Sequence, residues 1–292
     1  MSAPVREVGE IFAVTQVGEY TQFTVIAPGI ASGFEPGHFV AVAVGAEPGD
    51  PTSSMLLRRS FALYGATPTR DFAGTVTFVV ADAGPGTRWL TRRRVGEQLD
   101  LIGPLGHPFP LPTEPVPAVL VGGGYGTAPL VPLAAMLRER GSEVAVVLGA
   151  SHAGRLFGEL AVKRVVGAVT VTTDDGSAGE RGRVTDVLPE VVERVGAQVI
   201  YACGPMPMLK AVGEVAARYA ITAQVAVEEA MACGIGVCMT CVLPIRGDDG
   251  RSRFVRACTD GPVFDAARVR FDDVGTLPTD LVGADAMTAR RK

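Results

Sequence analysis

Val119-Leu-Val-Gly-Gly-Gly-Tyr-Gly-Thr-Ala-Pro-Leu130 reads as an apolar strand, a glycine-rich turn and the opening of a helix. From there to about Val227, apolar runs (EVAVVLGA, GAVTVTTDDG, QVIYACGP, TAQVAVEE) alternate with helical segments (PLVPLAAMLRERG, MLKAVGEVAARYA). That alternation predicts a parallel sheet with crossover helices. Glycines in the turn allow close approach to a pyrophosphate, whose charge is favoured by the free N–H groups and dipole of a helix start. A packing turn would read the same way. A strict G-x-G-x-x-G is absent, because the sixth position counted from Gly122 or Gly124 is Thr127 or Pro129. No G-K-[ST] follows either, which disfavours ATP hydrolysis.

Working outward, residues 115–137 carry no charge, and the mean hydropathy is +0.28, so a membrane span has to be considered. Pro117, Pro129, Pro132 and the glycines divide the stretch into strand, loop and helix start. A bilayer would leave that broken backbone unsatisfied. On the N-terminal side, from Val5 to Ile102, short β-type runs at 22–27, 38–44, 61–64 and 75–81 are separated by Gly/Pro turns, predicting a small antiparallel barrel. On the C-terminal side, the segment from Glu228 is short and cysteine-dense, and needs more than its own apolar core to hold it. The expected fold class is therefore multidomain β plus α/β, with boundaries at 1–112, 113–227 and 228–292. A length of 292 residues suits two domains and a small third.

Composition narrows the function. Hydrophobic residues at 47% against 20% charged exclude wholesale disorder. With 27 Lys+Arg against 31 Asp+Glu and no long basic run, a nucleic-acid backbone has little to grip. The N-terminus, MSAPVREVGEIFAV, shows no basic stretch followed by an apolar core, so a cytoplasmic location is expected.

Four of the five cysteines lie late in the chain: Cys233, Cys238, Cys241 and Cys258. Their C-x4-C-x2-C spacing, with a fourth cysteine after sixteen residues, matches the plant-type ligand pattern for a [2Fe-2S] cluster. Soft thiolates suit iron-sulfur chemistry, and Gly234 and Gly236 let the backbone wrap while leaving amides free to point at sulfur. A structural zinc site is the alternative, although it usually has a second close pair. Disulfides do not fit a cytoplasmic chain. Cys203 stands apart at the end of a buried strand, either as a small core residue or at the ligand crevice that open α/β sheets place there.

Read together, Arg59-Ser-Phe-Ala62, Gly84-Pro-Gly-Thr87, the glycine loop, Cys203-Gly-Pro-Met206 and the cysteine segment resemble the ferredoxin-NADP reductase superfamily. Thr173-Asp-Asp-Gly-Ser177 and Cys258-Thr-Asp-Gly-Pro-Val-Phe264 bring the resemblance closer to the electron-transfer subunits of class 1B dihydroorotate dehydrogenases, over nearly the whole chain to about residue 270. The resemblance implies three cofactors: FAD, a [2Fe-2S] cluster and NAD. By it, Arg59 meets an FAD phosphate, and Ser60, Phe61 and Ala62 lie near the flavin ring. Val79, Val80 and Ala81 run along the flavin, with Gly86 and Thr87 under its pyrophosphate. Gly122, Gly123, Gly124, Gly126 and Thr127, with Gly204, Pro205 and Met206, take the nicotinamide nucleotide, and Cys203 lies near the hydride path. The four late cysteines hold the cluster.

A flavin exchanges one or two electrons, a cluster one, and a nicotinamide a hydride pair, so a chain with all three sites is a converter. The resemblance supplies its partner, an FMN-containing dihydroorotate dehydrogenase catalytic subunit in a heterotetramer of two plus two, working in pyrimidine biosynthesis. Three features depart from or blur the family pattern: Ser60 replaces a usual proline, Ala62 a usual serine, and Arg58 makes the phosphate assignment ambiguous by one residue. His38, His107 and His152 read as turn or surface residues, His38 as structural. Ser151, His152 and Arg155 after Leu148-Gly-Ala150 keep NADP open beside NAD. Two rival readings are a flavin and iron-sulfur subunit of another complex (ferredoxin:NADP oxidoreductase, sulfide dehydrogenase or hydrogenase diaphorase type) and a zinc-stapled, non-redox nucleotide-binding regulator.

Overall fold

The computed structural model describes residues 3–45, 55–67 and 74–284. Its N-terminal part is a closed antiparallel barrel of β1 (Val5–Val17), β2 (Tyr20–Ile26), β3 (Phe39–Val42), β4 (Arg59–Thr67), β5 (Thr75–Ala81) and β6 (Gln98–Leu105), in the order β1-β2-β5-β4-β3-β6. Closure depends on the length of β1. Val5 to Glu10 pair with β6, whereas Ile11 to Val17 pair with β2, with a register shift between Ile11 and Ala13. One strand thus serves both edges, leaving neither open. Phe23, Val25, Val40, Val42, Val76, Phe78 and Val80 fill the interior, and Phe78 stacks between Phe23 and Phe61 at 5.8 and 5.4 Å. Two short helices that the periodicity does not announce, α1 (Pro28–Ser32) and α2 (Pro85–Thr91), each begin on a proline, whose fixed φ suits a first turn.

The middle of the chain forms the predicted parallel sheet: β7 (Ala118–Gly123), β8 (Val144–Ala150), β9 (Thr170–Thr173), β10 (Glu180–Arg181), β11 (Val199–Cys203) and β12 (Thr222–Ala226). Their order is β10-β9-β8-β7-β11-β12. Helices α3 (Leu130–Glu139) and α4 (Glu159–Val166) cover one face, α5 (Val184–Val195) and α6 (Met206–Arg218) the other. Ala118 and Leu120 pack toward the first face, Val119 and Val121 toward the second. Both faces of β7 are buried, hence its unbroken apolar run. Strand order reverses beside β7, so its carboxyl end and that of β11, where Gly122 pairs with Cys203, flank the crevice where open α/β sheets bind ligands. Among the described residues, no helix is long and apolar enough to cross a membrane.

The last segment is stapled to the other two. A hairpin of β13 (Val242–Arg246) and β14 (Ser252–Arg256) follows the cysteine turn, and β15 (Val263–Asp265) adds antiparallel to β12. Cys241, Leu243, Ile245, Ala257 and Cys258 share one core cluster with Leu209 and Val212 of α6 and with Phe39 and Leu105 of the barrel. The expected shortage of core is met by borrowing.

Asp100 on β6 ties the barrel wall to its neighbours. Its Oδ2 lies 2.9 Å from the guanidinium groups of both Arg6 and buried-side Arg58. Burial alone would raise this carboxyl above its ordinary 3.8, but the two arginines outweigh burial and hold it lower. A depressed folded-state value stabilises the fold fully above the unfolded value and less as pH falls through the folded one. Asp100→Asn is therefore expected to lose about 1–3 kcal/mol at pH 7, a difference that closes as pH falls below the ordinary carboxylate range. Denaturant titrations at a series of pH values measure it.

Candidate functional site

The cysteine turn owes its shape to two glycines. Gly234 and Gly236 have φ of +73° and +82°, a region costly for other residues. A Cβ on Gly236 would lie 2.7 Å from Thr259 Cγ2, and one on Gly234 would lie 3.3 Å from Ala41 of the barrel. Within this turn the Ile235 N–H points at Cys233 Sγ at 3.5 Å, and the Thr240 hydroxyl donates to Cys238 Sγ at 2.9 Å. The Thr240 hydroxyl, with further help from Cys233, draws the Cys238 thiol down to about 6. Burial pushes the Cys258 thiol up to about 12, aided by its contact with Cys241. The Ala257 N–H donates to the Cys241 carbonyl at 2.8 Å, lacing the fourth cysteine to the third.

Cys233 bears on Cys238, and Cys258 is in contact with Cys241 and also feels Cys233, so the four thiols lie about one turn. Amide and hydroxyl donors aimed at sulfur, with four soft thiols in this spacing, are the donor chemistry of an iron-sulfur centre. The donor set fits a [2Fe-2S] cluster.

A cavity of about 560 Å³ opens between the barrel and the parallel sheet. Arg59, Ser60, Phe61, Ala62, Val79, Ala81 and Thr87 line it from the barrel, Gly126, Cys203 and Gly204 from the sheet, and Met231, Ala232 and Thr240 from the cysteine segment. Arg58 and Arg59 both line this cavity, and each has protein partners: Arg59 Nη1 donates to the Leu57 carbonyl at 2.7 Å. Arg58 is spent on Asp100, at 2.9 Å to its carboxylate and 2.8 Å to its carbonyl. The Arg59 guanidinium instead packs over Gly86, where an added Cβ would meet Nε at 2.9 Å. Thr87 Oγ1 accepts from the Ala83 and Gly84 amides at 2.9 and 3.0 Å, fixing that loop. Val80 points the other way, into the barrel core, because alternate residues of a strand face opposite sides. Any contact it makes with a ligand is through its backbone.

A second cavity, about 430 Å³, is lined by Gly123, Gly124 and Pro205, with Ser151, Arg155, Thr172, Asp174 and Arg183 also on its wall. Gly122, Thr127 and Met206 do not line either cavity. A Cβ on Gly122 would sit 2.5 Å from Thr127 Oγ1, and one on Gly126 would sit 2.6 Å from the Cys203 carbonyl. Half of the glycine loop is thus a packing turn that lets β7 and β11 approach, and Met206 packs into the core. Tyr125 and Glu228 border both cavities, joined by a hydrogen bond from the phenol to the carboxylate. Tyr125 also meets Tyr20 edge-on at 5.7 Å. Burial, reinforced by Glu228, raises the Tyr125 phenol and pushes the Cys203 thiol up to about 12, so this cysteine is a neutral thiol and not a nucleophile. Tyr125, Glu228 and Thr240 have no role assigned from sequence, because only the fold brings them to the cavities.

The histidines are structural. His38 is buried, in keeping with a structural role, and its Nδ1 accepts the Glu35 amide at 3.0 Å. Burial lowers its ring, favouring the neutral form. His107 bridges to Pro262, and His152 faces Glu19 at 3.4 Å. The tail residues 285–292 lie outside the described residues.

Comparison with known proteins agrees with this site. The sequence profile of the iron-sulfur cluster binding domain of dihydroorotate dehydrogenase B matches residues 228–270. The electron transfer subunit of dihydroorotate dehydrogenase B (NAD(+)) from Geobacillus thermodenitrificans is 38% identical over 268 residues, covering 90% of this chain and 98% of that protein. Its counterpart from Listeria monocytogenes is 34% identical over 263 residues, covering 89% and 97%. Among solved structures, an NADH-dependent reduced ferredoxin-NADP oxidoreductase superposes with a TM-score of 0.77 at 26% identity, covering 98% of each chain. Phthalate dioxygenase reductase shares the fold, with a TM-score of 0.56 at 20% identity over 87% of this chain and 77% of that one. With identity of this level along nearly the full length of both sequences, the chain belongs to the electron transfer subunits of dihydroorotate dehydrogenase B (NAD(+)).

Proposed function

We propose that this chain receives electrons from an FMN-containing dihydroorotate dehydrogenase catalytic subunit and delivers them to NAD+ in pyrimidine biosynthesis, in a cytoplasmic heterotetramer of two plus two. The observation that carries the reading is that Met231, Ala232 and Thr240, beside the cluster cysteines, line the same cavity as Arg59 to Ala62 and Cys203. When bound, a [2Fe-2S] cluster supplies single-electron transfer, and FAD the conversion between single electrons and hydride. Cys233, Cys238, Cys241 and Cys258 hold the cluster. Arg59 takes an FAD phosphate beside Gly86 and Thr87, and Ser60, Phe61, Ala62, Val79 and Ala81 flank the ring. Gly123, Gly124, Gly204 and Pro205 receive the nicotinamide nucleotide. Cys203 offers a half-buried thiol at the border between the two, pushed up to about 12 by desolvation and by Glu228. Units at 1–112, 113–227 and 228–292 suit this division, with β15 as the strap between the second and third.

The catalytic subunit has an evident place to approach. Ile235, Val237 and Met239 on the cysteine turn are 47%, 72% and 55% exposed around exposed Cys238, an apolar rim of the kind that marks contact surfaces.

Cys238→Ser is expected to abolish the visible absorption of the cluster and to cut dihydroorotate-driven NAD+ reduction by the complex more than a hundredfold, while NADH oxidation by an artificial acceptor persists. Persistence of the dihydroorotate-driven reaction would remove the cluster from the path. The two arginines separate differently. Arg59→Ala should weaken FAD retention about tenfold to a hundredfold, the worth of a charge-assisted contact. Arg58→Ala should instead lower thermal stability with FAD affinity near that of the parent. Equilibrium dialysis of FAD and melting curves distinguish them.

A further inference from the structure

In doubly wound nucleotide domains the loops beyond the carboxyl ends of the strands read the adenosine ribose: acidic side chains hold its hydroxyls, and an arginine accommodates a 2'-phosphate. Residues 151–155, after β8, offer Ser151, His152 and Arg155, a set suited to the phosphate, and both Ser151 and Arg155 line the second cavity. The structure shows that Arg155 is already paired.

The turn between β1 and β2 of the barrel docks onto this loop. The Glu19 amide donates to the Gly154 carbonyl at 3.0 Å, and the Tyr20 hydroxyl to the Arg155 carbonyl at 3.0 Å. The approach is so close that a Cβ on Gly18 would lie 2.5 Å from the Gly154 oxygen. This seating delivers one carboxylate to Arg155 and to the His152 ring: Glu19 Oε2 lies 3.1 Å from Arg155 Nε, and Oε1 3.4 Å from His152 Nε2. The loop after β9 closes the other side. The Ala153 amide donates to Ser177 Oγ at 2.8 Å, and Asp174 lines the cavity with Ser151 and Arg155. A 2'-phosphate entering here would meet an arginine already paired with Glu19 and the Asp174 carboxylate on the cavity wall. A ribose diol would meet hydrogen-bond acceptors.

We propose that Glu19 is a specificity-determining residue: the flavin barrel reaches across to neutralise Arg155, and with Asp174 it makes the site choose NAD(H) over NADP(H). This rests on the second cavity being the dinucleotide site. Like-charge placement against the wrong ligand is an economical route to discrimination, because it weakens the competitor without needing new contacts to the favoured one.

Glu19→Gln tests it, since the backbone contacts of the turn remain and only the charge is lost. Calorimetric titration of the oxidised holoprotein with NAD+ and NADP+ reads binding, and NADH or NADPH oxidation by ferricyanide gives kcat/KM. The expected result is a gain of about tenfold in NADP+ affinity and in kcat/KM for NADPH, with NAD+ and NADH within twofold. Arg155→Ala in the Glu19→Gln background should erase the gain. An NADP+/NAD+ ratio unchanged in Glu19→Gln while NAD+ still binds overturns the role of Glu19. A gain that survives loss of Arg155 overturns it as well, pointing to Arg183, which lines the cavity from the start of α5. Failure of both nucleotides to bind the parent protein would overturn the dinucleotide site itself, and this inference with it.

Discussion

Packing of the cysteine turn against the barrel is the constraint on which the remaining architecture rests. A segment this short buries too little of its own surface to fold alone. It borrows: Gly234 sits against Ala41 and Leu105, Cys241 and Cys258 enter a core shared with α6, and β15 completes the edge of the parallel sheet. The position of the four thiols relative to the large cavity is then a consequence of core packing. A shift of the turn away from the barrel would expose apolar surface at about 25 cal/mol per Å², so the seat that stabilises the segment also fixes the distance electrons have to cover.

The same economy appears where the barrel meets the sheet. Tyr20 uses its hydroxyl on the Arg155 carbonyl and its ring on Tyr125, whose own hydroxyl is taken by Glu228. One residue from each of the three parts of the chain therefore meets at the boundary between the two cavities. Arginines and glycines line both cavities on either side of this junction. Desolvation disfavours a charged thiolate there and Glu228 adds repulsion, which is why the Cys203 thiol is pushed up.

Much of this was legible in the sequence, for identifiable reasons. Cysteine spacing and the glycine loop are local signals, and β/α alternation survives because each run is buried on both faces. The barrel was readable as β-rich, yet β1 and β6 were not separable from their surroundings. The half of β1 paired with β6 is mostly exposed, so its alternation is diluted by Arg6, Glu7 and Glu10. The inward turn of Val80 and the packing role of Gly122 follow from strand phase and strand spacing, which only pairing reveals. Tyr125, Glu228 and Glu19 carry no motif at all, because their partners are 103 or more residues away.

That separation bears on how the nucleotide loop acquires its character. Judged from its own residues, 151–155 is a basic loop, since Arg155 follows a serine and a histidine. Its electrostatics are nevertheless set by a carboxylate 136 residues earlier in the chain. An exposed ion pair of this kind stabilises the fold little, and Arg155 and Glu19 remain 58% and 48% exposed. Its effect is on what the loop presents to an incoming anion. A residue that contributes almost nothing to stability can therefore be decisive for ligand choice, and a loop's charge cannot be assigned before the surface that docks on it is known.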